Sequence, residues 1–140
     1  MSPLKKCFNV RNRDFIHAGE ASIAVQQLLK QMHVDPVLIR RIAVCGYEGE
    51  MNMVMHGEGG LYCVEIHSGK IILDLSDNGP GIPDIAKAME KGFSTASDEF
   101  REMGFGAGMG LPNMDKNADD MFIESEKGCG TKVQMVFMVK

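Results

Sequence analysis

The stretch from Asp77 to Asn113, DNGPGIPDIAKAMEKGFSTASDEFREMGFGAGMGLPN, sets two glycine-rich turns on either side of a short charged insert. Neither turn fits inside a helix or a central strand, because glycine weakens both and proline lacks the N–H that a ladder needs. Each must end one element and begin another. The first turn, Asp77-Asn78-Gly79-Pro80-Gly81, closes an apolar run that reads as a strand, and the second, Gly104 through Gly110, opens a helix at Leu111.

The remaining elements arrange themselves around these turns. Residues 7–10 read as a short strand, followed by a helix whose Ala21, Val25, Leu28, Leu29 and Met32 share one face. Asp35-Pro36 supplies an N-cap and a first helical position for a second helix over 37–55, which stops at His56-Gly57. Strands over 61–67 and 70–76 flank a Ser68-Gly69 turn, and a closing hairpin joins 121–125 to 132–139. Between the glycine turns, 85–91 reads as a short helix and 92–103 as a polar connection; the last helix covers 111–117. Early helices with hairpin-paired strands predict an α+β fold, a two-layer sandwich with helices on one face of a mixed, mostly antiparallel sheet. At 140 residues, 44% hydrophobic, the chain has material for one core, so 1–140 is expected to be a single domain.

Composition narrows the function classes. A net charge of -4 without a basic run argues against a nucleic-acid surface, which needs lysine and arginine to neutralise phosphates. No segment approaches a bilayer-spanning length, and the N-terminal MSPLKKCFNV has no apolar stretch after its lysines, so a cytoplasmic protein without membrane association is expected. Cys7, Cys45, Cys63 and Cys129 form no Cys-x-x-Cys pair, and reduced structural thiols are the reading they favour over a zinc site or disulfide framework. The 12 methionines are expected to fill core gaps.

Four pieces with chemical potential follow one another along the chain. Glu48-x-x-x-Asn52-x-x-x-His56 places three polar side chains on one face of the second helix. Asp77-x-Gly79-x-Gly81 sets a pure acceptor at a strand end, suited to an adenine amine, with glycines that let a ring approach the backbone. Gly104, Gly106, Gly108 and Gly110, alternating with Phe105, Ala107 and Met109 ahead of Leu111, leave backbone amides to point at one anion beside a helix N-terminus. Gly130-Thr131 starts the last strand, where a hydroxyl would reinforce Asp77 or a water beside it. Taken singly each has a plainer reading, as a solvated polar stripe, a turn, a hinge and a strand start.

In this order the four pieces resemble the GHKL, or Bergerat-fold, ATPase superfamily, over most of the chain from Asp35 onward. The run DNGPGIPDIAKAMEKGFST, the stretch GFGAGMGLPNMDKNADD and the Glu48/Asn52 pair are similar to the small anti-sigma and stressosome switch serine kinases of bacterial partner-switching systems. The resemblance implies ATP and Mg2+ as cofactors, Glu48 as general base toward a serine, and Asn52 as metal ligand. ATP would contact Asn52, His56, Asp77, Gly79, Gly81, Ile82, the segment Gly104, Phe105, Gly106, Ala107, Gly108, Met109, Gly110, Leu111, and Thr131. A lid at about 84–103 would close over the phosphates, and Arg101 within it reads equally as a phosphate contact or a solvated charge. The implied partner is a STAS-domain antagonist, a sigma factor or both, and the sigma-sequestering relatives pair through their sheets as homodimers. Gly49 departs from the pattern, since glycine inside a helix costs about 1 kcal/mol against alanine.

Rival readings are weaker. A P-loop kinase would need Gly-x-x-x-x-Gly-Lys-Ser/Thr, which does not occur, and the eukaryotic protein-kinase signatures are missing too. A histidine kinase would need a phosphoacceptor hairpin for which the residues before the ATP module leave too little room, and gyrase-type proteins carry transducer domains. The competing class is a nucleotide-gated module that sequesters a partner without phosphotransfer.

Overall fold

The computed structural model describes residues 3–11, 14, 16–56, 59–77, 79, 110–125 and 130–139, with only the backbone of His56, Leu111 and Pro112. Five strands, β1 (Leu4–Val10), β2 (Gly60–Ile66), β3 (Lys70–Asp77), β4 (Asp120–Ser125) and β5 (Thr131–Met138), form one sheet in the order β1-β2-β3-β5-β4. All four pairings are antiparallel. Helices α1 (Glu20–Gln31), α2 (Pro36–His56) and α3 (Gly110–Asn117) complete the described elements.

The period of two in the strands decides which side of the sheet is covered. Tyr62, Val64 and Ile66 of β2, Ile71, Leu73 and Leu75 of β3, and Val133, Met135 and Phe137 of β5 alternate into the core. Against them pack Ala21, Val25 and Leu29 of α1, Leu38, Ile42, Cys45 and Val54 of α2, and Met114 of α3. Leu61, Phe122 and Met138 remain exposed. Met51, Met53, Met55, Met114 and Met135 are buried, as core filling requires, whereas Met32 at the end of α1 is not.

Local chemistry fixes the helix ends. Pro36 opens α2 and the Asp35 carboxylate accepts the Val37 N–H at 3.0 Å, as the N-cap reading predicts. Helix α1 starts differently: its N-cap is Gly19, at φ 95°, which has no side chain to offer. The cap comes from 31 residues away. Glu50, only 2% exposed on α2, accepts the N–H groups of Gly19 at 2.9 Å, Ala21 at 3.4 Å and Ser22 at 3.0 Å, and the Ser22 hydroxyl at 2.7 Å. The donors also place the Glu50 charge at the positive end of the α1 dipole. Tyr62 joins this cluster from the sheet; burial pushes its phenol up, opposed by its hydrogen bond with Ser22 and reinforced by Glu50.

One expectation is corrected. Cys7 and Cys63 are not free thiols but a disulfide, because the antiparallel register of β1 and β2 sets them directly opposite one another with Cα atoms 4.0 Å apart. Fifty-six residues separate them in the chain, so cysteine spacing carries no trace of the pairing. Cys45 is a free, buried thiol.

Glu50→Ala leaves several buried N–H groups of α1 without an acceptor, each worth about 1–3 kcal/mol when unsatisfied. Urea denaturation should show a loss of at least about 2 kcal/mol; an unchanged midpoint would mean that water or a shifted backbone replaces the carboxylate.

Candidate functional site

Two acidic residues on α2 face opposite ways. A helix turns about 100° per residue, so Glu48 and Glu50 lie on opposite sides while Glu48 and Asn52 share one. The Glu50 side is buried against α1; on the other side Glu48 and Asn52 are both half-buried. Burial pushes the Glu48 carboxyl above the ordinary glutamate range, and the Asn113 side chain pulls it partly back.

Asn113 arrives there because α3 is seated closely on α2. Gly49 permits a close approach of the sheet: a Cβ at that position would run into Leu75 of β3, while the Met114 sulfur of α3 would lie in ordinary contact at 3.6 Å. The glycine that costs helix propensity is thus the price of close packing at the site. Cys45, one turn earlier, donates its S–H to the Met114 carbonyl at 3.5 Å. Burial pushes this thiol up to about 12, with Arg41 opposing and Glu48 adding to the shift, so it remains a neutral donor at physiological pH. At the far end of α3, Arg41 Nε donates to the Asn117 carbonyl at 2.9 Å and its Nη2 reaches Asp119 at 3.1 Å. Asp119 in turn accepts the Met138 N–H at 2.7 Å, which ties the end of α3 to β5. Arginine on the last carbonyls of a helix complements its negative end.

Asp77 occupies the end of β3. Its Oδ1 accepts the N–H of Gly79 at 2.9 Å and that of Thr131 at 3.2 Å, which holds the carboxylate in one orientation. The link from Thr131 runs through the main chain; its hydroxyl lies 2.9 Å from Ser125 Oγ on β4, its partner in the register. Gly60 of β2 brings this strand end under α2: it pairs with Asp77, and a Cβ there would meet both Met53 Cε and the Asp77 Cα. Through Gly49 against Leu75 and Gly60 against Met53, the later part of α2 packs on the end of β3, the strand end that carries Asp77.

The other expected contacts divide in two. His56 ends α2, and Gly110 and Leu111 begin α3, so a helix does start at the last glycine of the second run. Gly81, Ile82, Gly104, Phe105, Gly106, Ala107, Gly108 and Met109, the helix expected at 85–91, the lid at 84–103 and Arg101 lie outside the described residues. Asn113, Cys45 and Glu50 were not among the expected site residues. Asn113 was signalled only by standing in the first turn after the glycines, and Glu50 only by its offset of two from Glu48. A cavity of about 450 Å³ lies elsewhere, between β1 and α1 on the Glu50 side, lined by Phe8, Val10, Asp14, His17 and Ala21 among others.

An antiparallel five-stranded sheet with helices packed on its apolar face defines a two-layer α+β sandwich. The chain belongs to the histidine kinase-, DNA gyrase B-, and HSP90-like ATPase family, whose model matches residues 49–140. It is 31% identical over 139 residues to an anti-sigma F factor of Clostridium botulinum (strain Alaska E43 / Type E3), covering 91% of this chain and 92% of the relative. It is also 43% identical over 67 residues to the serine/threonine-protein kinase RsbT of Bacillus subtilis, covering 48% of this chain and 43% of that one. Its fold is similar to a chain of the SiaB-SiaC complex from Pseudomonas aeruginosa, with a TM-score of 0.66 at 11% identity over 94% of this chain and 88% of the other. No helix among the described residues is long and apolar enough to cross a membrane.

The two N–H groups on Asp77 make a stability test possible. Asp77→Ala leaves them unsatisfied and should cost about 1–3 kcal/mol in urea denaturation, while Asp77→Asn keeps an oxygen acceptor and should lie within about 1 kcal/mol of wild type. Equal losses in both would show that the charge, not the acceptor, holds the strand end.

Proposed function

We propose that this chain is an ATP- and magnesium-dependent serine/threonine protein kinase and anti-sigma regulatory factor that phosphorylates a STAS-type antagonist in a partner-switching pathway. The observation that carries this reading is the Glu48 carboxyl, half-buried, its affinity for protons raised by burial, and on the same helix face as Asn52. A module that only binds nucleotide has no use for a carboxylate placed to accept a proton. The names of the relatives, anti-sigma F factor and serine/threonine-protein kinase, support both halves of the proposal.

In the proposed reaction the client serine oxygen attacks the γ-phosphorus of ATP, the bond to the β,γ-bridging oxygen breaks, and ADP leaves. Glu48 accepts the serine proton, a role suited to a carboxyl whose burial raises its affinity for protons. Asp77, oriented by Gly79 and Thr131, would accept the adenine amine. His56, Ile82 and the segment from Gly104 to Leu111 would line the nucleotide, with the phosphates at the start of α3. Asn52 fits a magnesium site, because its carboxamide offers one neutral oxygen beside the place for the phosphates and magnesium takes few protein ligands with several waters. The ion, when bound, neutralises charge on the β- and γ-phosphates.

The second reading, ATP-gated sequestration without transfer, is favoured by the anti-sigma name of the full-length relative. Mass spectrometry of proteins co-purified with the chain, before and after Mg-ATP, separates the two. New phosphoserine on a partner, lost or reduced by about 10²–10⁴-fold in rate in Glu48→Gln, is the expected result. ATP-responsive binding without phosphate gain would leave a sequestering module. In calorimetry Asn52→Ala should remove the magnesium dependence of ATP affinity, and Asp77→Asn should weaken ATP about tenfold or more by turning a donor toward the adenine amine. Unchanged affinities would take these residues out of the site.

A further inference from the structure

Among the described strands β1 lies at the edge of the sheet, and it buries little of itself. Val10 is its one buried residue and Phe8 is half-buried, while Leu4, Lys5, Lys6, Cys7 and Asn9 are exposed. Apolar burial thus does little to hold this strand. The Cys7–Cys63 disulfide sits on the central rung of the ladder that joins Leu4–Val10 to Gly60–Ile66. Tyr62 and Val64 are buried on either side of Cys63, so the period of two sets the bond on the uncovered face of the sheet. Cys7 is exposed and Cys63 half-buried, which leaves the bond open to thiol exchange. Cys45 offers no substitute, because it is buried and its S–H is engaged by the Met114 carbonyl.

One row of residues leads from β1 to the strand end that carries Asp77. Val10 pairs with Gly60, and Gly60 pairs with Asp77. There is no slack on this row, since a Cβ at Gly60 would meet the Ser76 carbonyl and the Asp77 Cα. Phe8, one residue from Cys7, also meets Tyr62 edge to face with ring centroids 6.3 Å apart.

We propose that Cys7–Cys63 is a redox modification site: a dithiol reductant opens it, which frees β1 and loosens the Asp77 end of β3 through the row Val10, Gly60, Asp77. A thiolate of the dithiol attacks the exposed Cys7 sulfur, the Cys7–Cys63 bond breaks, and the Cys63 sulfur leaves as a thiolate that takes up a proton. The second thiol of the reductant then displaces Cys7 from the mixed disulfide. Two electrons and two protons end on the protein, and the reductant leaves as a disulfide. In the closed form a link across 56 residues of sequence restrains a strand that burial does not. The consequence for nucleotide rests on the reading of Asp77 as the adenine acceptor: the closed form binds ATP more tightly.

The test uses the folded full chain, equilibrated with reduced and oxidised dithiothreitol in varied ratio and trapped with N-ethylmaleimide. Cys7 and Cys63 should label together in one reversible two-electron step while Cys45 stays unlabelled. A bond that resists excess dithiothreitol, or two thiols that never join under the oxidised reagent, would overturn the proposal. Hydrogen exchange without nucleotide reads the transmission. The amides of β1 and the Thr131 N–H that Asp77 accepts should exchange about tenfold or more faster in the reduced form, with the middle of α2 unchanged. Cys7→Ser should show the reduced rates in both buffers, and equal rates in the two forms of the wild type would overturn the proposal. Calorimetry should then find ATP bound about fivefold more tightly by the closed form, and equal affinities would overturn the coupling to nucleotide. Exchange rates that respond while neither form binds ATP would remove the nucleotide reading of Asp77 and leave the redox site standing.

Discussion

Glu50 puts a carboxylate into the protein interior, where a charge is tolerable only when hydrogen-bond donors surround it. The donors it takes are the first N–H groups of α1 and the Ser22 hydroxyl, so two helices satisfy one another's least stable groups. Tyr62 extends the cluster to β2 through Ser22. The rotation of α2 about its own axis is settled by this arrangement. With Glu50 turned inward to α1, helix geometry turns Glu48 and Asn52 to the opposite side, where α3 and the end of β3 meet them.

The division of labour along α2 explains its composition. One side carries the carboxylate that ties α1 to α2, and the other carries a carboxyl whose proton affinity is raised by burial. Between them Gly49 gives up helix propensity so that Leu75 comes close. At the strand end, two backbone N–H groups on Asp77 Oδ1 convert a turn into a fixed acceptor. Each chemical group is thus held by something outside its own element, which is what precise placement requires.

Local patterns were legible in the sequence, and the links between them were not. The Asp35-Pro36 start of α2, the two hairpins and the helix after the second glycine turn follow from capping, turn chemistry and periodicity, all within a few residues, and the structure shows them with ends shifted by a residue or so. β1 is longer than its apolar core suggested, Leu4–Val10, because an edge strand needs only a neighbour's ladder and not a buried face. The role of Glu50 and the Cys7–Cys63 bond escaped for one reason: each depends on a partner 28 or more residues away that no local rule names. For the candidate site, resemblance fixes the order of Glu48, Asn52 and Asp77 along the chain and leaves their partners unnamed. Gly49 read as a departure because its use lies in the residues that pack on it.

In the proposed site, nucleotide binds between the Glu48 side of α2, the end of β3 and the start of α3, away from the Glu50 side. A crystal structure of the chain with magnesium and a non-hydrolysable ATP analogue tests this most directly. It should show the adenine amine on Asp77, the metal on the Asn52 oxygen and the γ-phosphate facing Glu48. Nucleotide seated instead in the cavity between β1 and α1, or a metal held without Asn52, would contradict it.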